Sequence, residues 1–308
     1  MNKLIYQLSH PAHSLAGLIR KFWFLFPNDA LFLSIVYYLE MGEKLNLKCP
    51  QKFTEKLQWL KLYDRRPEYT HMVDKITAKV YAAKAIGEEF IIPTLGVWNH
   101  FDEIDFSRLP NKFVLKTNHG SGGGGVIICH DKTSFDQNHA RKILERSLHK
   151  NTYNQYREWP YKNITPKIFA EKLLEDNSNE TKSLNDYKFY CFNGEPKLVM
   201  YSAGRYNNNL TFDYYDMHWK KLPLEWDKPN SEIEAPKPSN LADMIAVCKT
   251  LSKDIPHVRV DLYSVNNKIY FGEMTFYDAS GYSKFNPASW NRTLGDLLNL
   301  PNELVINK

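Results

Sequence analysis

Apolar residues recur at helical spacing through the first part of the chain. Phe53, Leu57 and Leu60 follow the i, i+4, i+7 pattern of an amphipathic helix, and Pro67 comes after the last turn of that pattern. Such stretches predict that residues 1–70 form a helical extension.

The pattern then changes to one further helix followed by short apolar runs. Residues 68–87 predict a lysine-bearing helix that ends at Gly87 as its C-cap. The short apolar runs after this helix are bounded by turn residues and predict strands. Between the third and fourth of these strands the sequence predicts a second helix, whose N-cap is Ser134 or Asp136. The predicted strands lie at 89–98, 112–117, 125–131 and 167–176, and this second helix lies at 134–150.

The second half of the chain carries two hairpin signals. The pairs Asn193-Gly194 and Asn266-Asn267 each lie between alternating apolar and polar runs, a pattern typical of tight β-turns. Residues 240–255 predict a helix between the two hairpins. A helical extension, a strand-loop-strand-helix-strand unit and then antiparallel strands with a helix predict an α+β protein with two sheets facing a cleft.

The composition is that of a globular protein. The chain has 308 residues, of which 43% are hydrophobic, enough for one large or two modest cores. Its formal net charge is +5, and residues 1–66 alone carry ten Lys/Arg against five Asp/Glu. That surplus suits a membrane surface or an anionic substrate and falls short of a nucleic-acid footprint. The four cysteines are far apart with no C-x-x-C, so we expect no zinc site, no disulfide framework and a cytoplasmic protein.

Two apolar stretches near the N-terminus bear on membrane contact. Residues 22–26 and 30–39 are split by Pro27, and each is shorter than the roughly 20 residues that a spanning helix needs. We also find no pattern of a cationic start, an apolar run and a cleavage site that would predict a signal peptide. Two interpretations of residues 15–39 stay open: attachment to the inner face of the cytoplasmic membrane, or packing of these helices on the rest of the protein.

A glycine-rich loop follows the second predicted strand. Residues 119–125, the glycine loop, contain five glycines, and Lys116 lies near the end of the preceding strand. Since glycine lacks a Cβ, the backbone N–H groups of such a loop can cradle a polyphosphate while the lysine supplies a positive charge. The loop has no P-loop pattern and does not open a helix, so a purely structural turn stays open as the alternative.

Acidic and basic residues meet on the last predicted hairpin. Arg259 and Asp261 lie two apart on one strand and therefore on one face, and Glu273 lies nearly opposite Asp261 across the turn. Two such carboxylates can share Mg²⁺, and the arginine can bind a second negative group. The alternative is a solvated face with an exposed salt bridge.

Taken together, these segments resemble the ATP-grasp carboxylate-amine ligases, and within them the TupA-like branch named for teichuronopeptide biosynthesis. The motifs "DKITAK", "FVLK", "HGSGGGG", "FAEKLLED", "NDYKFYCFNGEPKLV" and "RVDLY…FGEMTF" follow the family's order over roughly residues 70–285. The resemblance implies the ATP-grasp fold, in which two α+β subdomains grip ATP between antiparallel sheets. The implied division is a helical extension (1–70), an ATP-grasp N-terminal part with the glycine flap (71–176) and a Mg²⁺-binding C-terminal part (177–308).

The resemblance also implies a role for each matching residue. Asp261 and Glu273 are expected to hold Mg²⁺, together with Thr275, which stands where the family usually has Asn. The expected catalytic residues are Arg259, Lys116 and Lys188. The expected nucleotide-binding residues, which form the phosphate site, the flap and the adenine hinge, are Lys75, Lys79, Lys116, His119, Gly120, Ser121, Gly122, Gly123, Gly124, Glu171, Lys172, Leu173, Leu174, Glu175 and Asp176.

The implied activity is ATP- and Mg²⁺-dependent amide formation. The γ-phosphate of ATP goes to a substrate carboxylate, and an amine attacks the resulting acyl phosphate to give an amide, ADP and phosphate. By analogy with the branch, the carboxylate is of the uronic-acid type and the amine belongs to an amino acid or amino sugar of a surface polysaccharide. Two other classes stay open: a glycosyltransferase or kinase of the same pathway, and a non-catalytic nucleotide- or glycan-binding module.

Overall fold

The structure is a computed structural model in which residues 10–120, 124–176, 184–203 and 210–306 are described. The α-helices of this part are α1 (Pro11–Lys21), α2 (Asp29–Met41), α3 (Phe53–Tyr63), α4 (Glu68–Val73), α5 (Thr77–Ile86), α6 (Gln137–Leu148), α7 (Thr152–Tyr156), α8 (Leu241–Ser252) and α9 (Trp290–Leu297). The strands are β1 (Thr94–Trp98), β2 (Phe113–Thr117), β3 (Val126–Cys129), β4 (Ile168–Lys172), β5 (Asn185–Phe192), β6 (Glu195–Ala203), β7 (Thr211–Tyr215), β8 (Glu225–Trp226), β9 (His257–Val265), β10 (Lys268–Thr275) and β11 (Phe285–Asn286).

Helices α1, α2 and α3 confirm the predicted helical character of the N-terminal part, and local caps set their ends. Asn28 caps α2 by accepting a hydrogen bond from the backbone N–H of Leu31 at 3.0 Å. Gly42 ends α2 in the left-handed region with φ of 75°, a conformation that glycine adopts without strain. No helix in the described ranges is long and apolar enough to cross a membrane.

The segment predicted as one helix ending at Gly87 is two helices, α4 and α5, so that prediction is wrong. Asp74 breaks the helix because its carboxylate accepts a hydrogen bond from the backbone N–H of Ile76 at 2.8 Å. The backbone N–H of Lys75 in turn donates to the carbonyl oxygen of Asn118 at 2.9 Å. The break therefore ties Lys75 to the start of the glycine loop. Gly87 does end α5, as predicted.

The smaller sheet is antiparallel, with strand order β1-β4-β2-β3. Its first strand is shorter than predicted, because a 3-10 turn at Glu88–Phe90 precedes it and β1 begins only at Thr94. Helix α6 packs on β2 and β3. Asp136, and not Ser134, is its N-cap, since the Asp136 carboxylate accepts from the backbone N–H of His139 at 2.9 Å.

The larger sheet is also antiparallel, with strand order β10-β9-β5-β6-β7, and α8 packs against β5, β6 and β9. Both predicted hairpins are confirmed. Their turn residues Asn193, Gly194, Asn266 and Asn267 all have positive φ, which tight hairpin turns require. The sequence pattern did not predict β7, the two-stranded ladder of β8 and β11, or α9.

The buried side chains show which elements belong together. Phe53 of α3 contacts Phe192, Trp226 and His257, so α3 packs into the core of the larger sheet. Helices α1 and α2 share a separate core, and the smaller sheet shares another with α6. The predicted α+β architecture with two sheets facing a cleft is confirmed, whereas the predicted division at residues 70 and 176 stays a prediction.

Candidate active site

A cavity of about 840 Å³, the central cavity, lies between the two sheets. The predicted catalytic, metal and phosphate residues that line it come from separate elements. They are Lys75 from the break between α4 and α5, Lys116 from β2, Gly120 and Gly124 from the glycine loop, Lys188 from β5, Arg259 and Asp261 from β9, and Glu273 and Thr275 from β10.

The register of β9 and β10 places the acidic pair. Asp261 and Glu273 are direct partners across the two strands, next to an irregularity between Phe271 and Glu273. Gly272 lies in that irregularity, and a Cβ there would lie 2.9 Å from the carbonyl oxygen of Asp261, so no larger residue fits without a shift. Thr275 pairs with Arg259, which brings the whole predicted set to one face of the sheet.

Arg259 holds this acidic face together. Its Nε donates to Asp261 Oδ1 at 2.7 Å and its Nη2 to Asp261 Oδ2 at 2.9 Å, a bidentate pair. Its Nη1 donates to Asp278, and its Nη2 also donates to Thr275 Oγ1 at 3.2 Å. Lys188 donates to Asp261 from the neighbouring strand and forms an ion pair with Asp186 at 2.9 Å.

The surrounding positive charges keep the Glu273 carboxyl ionised. Burial opposes ionisation of Glu273, but the nearby Lys75, Arg259 and Lys188 hold the pKa of this carboxyl below its ordinary value. The Lys188 ammonium is held in the same way, because burial lowers its pKa and the carboxylates Asp261 and Asp186 raise it by more. Carboxylate and hydroxyl oxygens are ligands of the kind that Mg²⁺ prefers, so Asp261, Glu273 and Thr275 fit this metal. In the described part of the chain, no group of three or more Asp, Glu, His and Cys side chains is arranged so that it could hold a metal ion.

A second cavity of about 450 Å³, the hinge cavity, adjoins the central one and shares Lys116, Val126, Asp186 and Tyr263 with it. The predicted adenine-hinge residues Glu171 to Glu175 line it, and Ile92, Val114 and Ile128 add apolar walls. The Glu171 carboxylate binds both Lys116 and Lys79. Burial raises the pKa of Glu171, and the two lysines lower it by more.

Comparison with known proteins decides the family. The model of the TupA-like ATP-grasp family matches residues 55–299. The chain belongs to this family. Both the predicted family and the predicted ATP-grasp fold are thereby confirmed. No curated protein matches the chain.

Solved structures similar to this TupA-like ATP-grasp protein are distant. The D-alanine--D-alanine ligase from Bacillus anthracis is 16% identical, with a TM-score of 0.38 over 67% of this chain and 57% of that one. The ATP-grasp ligase PsnB, complexed with minimal precursor, Mg and ADP, is 8% identical, with a TM-score of 0.38 over 72% and 57%. An ADP complex of N5-carboxyaminoimidazole ribonucleotide synthetase is 14% identical, with a TM-score of 0.44 over 79% and 56%. The chain spans less than two thirds of the length of each.

Some of the predicted nucleotide residues lie outside both cavity linings. Lys79 is buried and donates to the carbonyl oxygen of Ile92 at 2.9 Å besides its ion pair with Glu171. The His119 ring is buried between Asn118 and the carbonyl oxygen of Ser147, and burial lowers its pKa. Asp176 is also buried. Ser121, Gly122 and Gly123 lie outside the described residues. The roles of all these residues stay predictions.

The described ends of the glycine loop leave no room for side chains. A Cβ on Gly120 would lie 2.8 Å from the carbonyl oxygen of Gly124. Gly125 has φ of 89°, and a Cβ there would lie 2.4 Å from Ser147 Oγ and 2.6 Å from Thr117 Oγ1. Glycine is therefore required at both positions for steric reasons, whatever the loop binds.

Sequence reasoning missed several residues of the central cavity. Asp278, Ala279 and Ser280 follow β10 in a short loop, and Ala279 and Ser280 have positive φ (44° and 54°), which is uncommon for non-glycine residues. Glu158, in the segment before β4, also lines the central cavity. The segment "REWPYKN" (157–163), which carries Glu158, is rich in Arg, Trp, Tyr and Lys, and nothing in its sequence singles out this acid.

Proposed function

We propose that the chain is an ATP- and Mg²⁺-dependent carboxylate-amine ligase that forms an amide through an acyl phosphate. The observation that carries this proposal is the meeting, across one cavity, of Lys116 from the smaller sheet with the carboxylates Asp261 and Glu273 of the larger sheet. Membership of the TupA-like ATP-grasp family supports an ATP-dependent ligase. ATP and Mg²⁺ are the cofactors that this site takes.

Each step relies on groups that the chain supplies. The apolar walls of the hinge cavity would hold the adenine, and Lys116 with the main chain of the glycine loop would hold the phosphates. Asp261 and Glu273 would hold Mg²⁺, which neutralises negative charge on the phosphates. Arg259 would orient the substrate carboxylate and stabilise the negative oxygen that develops as the amine attacks. Positioning and electrostatics thus carry the reaction, without a nucleophilic side chain.

The substrates that we propose follow the branch. The carboxylate is of the uronic-acid type, and the amine belongs to an amino acid or amino sugar in surface-polysaccharide biosynthesis. The positive charges of the central cavity, Lys75, Lys116, Lys188 and Arg259, suit a carboxylate beside a triphosphate.

An ADP-release screen tests this function. Uronic acids and sugar-linked carboxylates are crossed with amino acids and amino sugars in the presence of ATP and Mg²⁺, and the products are identified by mass. We expect ADP release that requires Mg²⁺, a carboxylate and an amine, with an amide as product. Lys116→Ala and Glu273→Ala should abolish it, while the exposed Lys237→Ala and Glu234→Ala should not. Unchanged turnover in Lys116→Ala and Glu273→Ala would refute the proposal. A phosphate ester as product would identify a kinase instead, and a glycoside would identify a glycosyltransferase.

We further propose that α1, the turn after it and the start of α2 contact an anionic lipid surface on the cytoplasmic side. Leu18, Phe24 and Leu25 are 53%, 60% and 65% exposed, and Leu15, Phe22 and Leu31 are exposed beside them. These six side chains, the apolar face, come from neighbouring positions of the chain, whereas the exposed apolar residues of an ordinary protein surface are scattered singly.

The charges around the apolar face suit anionic lipid. The two acids of this segment point inward: Asp29 binds Arg65 at 2.6 Å and Arg157 at 3.0 Å, and Glu40 binds Arg20. Lys21 is exposed next to Phe22. The face therefore offers apolar groups with an exposed lysine and no unpaired carboxylate from residues 11–40, which favours a lipid headgroup region over a basic protein partner.

A further inference from the structure

The wall of the central cavity beyond Arg259 is built by two segments that the ATP-binding motifs do not include. One is the stretch 156–161 before β4, and the other is the loop 277–281 after β10. This wall, the acceptor wall, consists of Tyr156, Glu158, Tyr161, Tyr277, Asp278, Ala279 and Ser280.

A lysine from the N-terminal helices clamps the two segments together. Lys61 of α3 is completely buried and donates to the carbonyl oxygens of Tyr156 at 3.0 Å and Ser280 at 2.8 Å. Its third hydrogen bond goes to Gln58 Oε1 at 3.0 Å, and Gln58 Nε2 donates to the carbonyl oxygens of Ser280 and Gly281, at 3.0 Å each. The clamp holds the positive-φ residues of the loop in place, so the acceptor wall is fixed before any ligand arrives.

Glu158 is the acid that this clamp leaves available. Its Oε1 accepts a hydrogen bond from Ser280 Oγ, and its side chain lines the cavity although the residue is only 5% exposed. Its Oε2 accepts no hydrogen bond from any residue in the described ranges. Lys61 lies close enough to influence its charge but donates to neutral oxygens instead. Burial raises the pKa of Glu158 and Asp278 raises it further, while Lys61 lowers it.

The charges of the wall decide which substrate group it takes. Asp278 is occupied by Arg259 and by the hydroxyl of Tyr190 at 3.0 Å. Glu158 therefore presents a buried carboxylate with one free oxygen, which repels a substrate carboxylate and attracts an ammonium group. A primary amine is an ammonium ion in water at neutral pH and must lose a proton before it can attack.

We propose that Glu158 binds the ammonium group of the amine substrate and takes its proton as the amine attacks the acyl phosphate. This inference rests on the proposed ligase function. One N–H proton passes to Glu158 Oε2, the nitrogen lone pair forms the C–N bond, and the C–O bond to phosphate breaks. The second proton leaves the nitrogen with the departing phosphate, which completes a neutral amide. Ser280 and Lys61 are positioning residues, since they hold the carboxylate and the wall.

Hydroxylamine separates the amine step from the phosphate step. It carries no charge at neutral pH, so it traps an acyl phosphate as a hydroxamate without needing a carboxylate to hold or deprotonate it. The wild-type protein and Glu158→Gln are compared with ATP, Mg²⁺ and the carboxylate panel, once with hydroxylamine and once with the amine panel. The readout is the ratio of amide to hydroxamate formed, with MgADP binding by calorimetry as the check on folding.

We expect Glu158→Gln to lower the ratio of amide to hydroxamate by about 100-fold or more, the usual contribution of a positioned proton acceptor. Glu158→Asp should restore part of it, and Glu234→Gln should leave it at the wild-type value. An unchanged ratio in Glu158→Gln that still binds MgADP would overturn the inference. If Glu158→Gln does not bind MgADP, Ser280→Ala provides the same comparison, with a smaller fall expected and an unchanged ratio contradicting us. A wild-type protein that gives no hydroxamate with any carboxylate refutes the ligase function itself, and this inference with it.

Discussion

Positively and negatively charged side chains alternate at the site, so that each one forms ion pairs with its neighbours. Lys188 lies between Asp186 and Asp261, and Arg259 lies between Asp261 and Asp278. Removing a single member would take one opposite charge away from each of its buried neighbours, which destabilises the folded protein. The network therefore holds the Asp261 carboxylate in a fixed orientation, as a metal ligand has to be.

The buried histidine at the start of β9 makes stability depend on pH. His257 donates from Nδ1 to the carbonyl oxygen of Cys191 at 2.9 Å, and complete burial lowers its pKa to about 3 from an ordinary 6.5. The unfolded chain binds the proton more readily, so this stability is fully present above pH 6.5 and is lost as pH falls toward about 3. Between pH 7.5 and pH 5.5 we expect the free energy of unfolding to fall by about 1.4 kcal/mol through this group.

Denaturant unfolding at the two pH values checks this expectation. His257→Asn cannot titrate but can still donate to Cys191 through its amide, so it should be less stable overall and lose most of the pH difference. The exposed His218→Asn should keep it. An equal pH difference in wild type and His257→Asn would show that another group is responsible.

Site residues that lie close together in sequence could be predicted, whereas those brought together by long-range contacts could not. Arg259, Asp261 and Glu273 lie on one tight hairpin, where spacing from the turn fixes both face and register, and the structure pairs Asp261 with Glu273. Glu158 and Asp278 reach the cavity from segments clamped by α3, about 100 and 220 residues away in sequence. No local pattern encodes contacts of that range, so these acids could not be found from the sequence.

At the scale of elements, interruptions position the lysines and the glycine loop. The break between α4 and α5 follows from the hydrogen bonds that Asp74 Oδ1 accepts from the backbone N–H groups of Ile76 and Thr77. Helical periodicity does not predict this break, because the residues on both sides of it suit a continuous helix. The hairpins were predictable, since Asn193-Gly194 and Asn266-Asn267 need no tertiary contact to form a turn. The strand order within each sheet was not predicted, because it depends on pairing between residues that are far apart in sequence.

A glycine-to-alanine substitution should destabilise the protein in the glycine loop and stabilise it in helix α1. Gly125→Ala adds a Cβ at φ of 89° and 2.4 Å from Ser147 Oγ, so we expect a loss of about 1–3 kcal/mol and weaker ADP binding as the glycine loop shifts. Gly17→Ala, in α1, adds a Cβ that meets no atom within 4 Å, so we expect a gain of about 0.5–1 kcal/mol with ADP binding unchanged. Denaturant unfolding and calorimetry measure both. A stable Gly125→Ala variant with wild-type ADP affinity would contradict the steric account of this turn.

At the scale of the whole molecule, the N-terminal helices serve two sides of the protein. Helix α3 packs into the core of the larger sheet and clamps the acceptor wall through Lys61. Helices α1 and α2 bury Ala16, Phe32 and Val36 in their own core and turn a second apolar group outward. The N-terminal helices therefore link the acceptor wall to the apolar face.

The lipid contact predicts that the purified protein co-sediments with vesicles containing an anionic phospholipid. Phe24→Asp with Leu25→Asp should weaken this binding by about tenfold or more per side chain, because burying one such residue is worth about 1.5–3 kcal/mol. Both residues are exposed, so unfolding free energy should not change. Ile233→Asp, at a position 81% exposed and outside the apolar face, is the matched control and should bind like wild type. A wild-type protein that does not bind vesicles would contradict the lipid contact. If that protein forms a dimer and the double variant is a monomer, the apolar face binds a second copy of the chain instead.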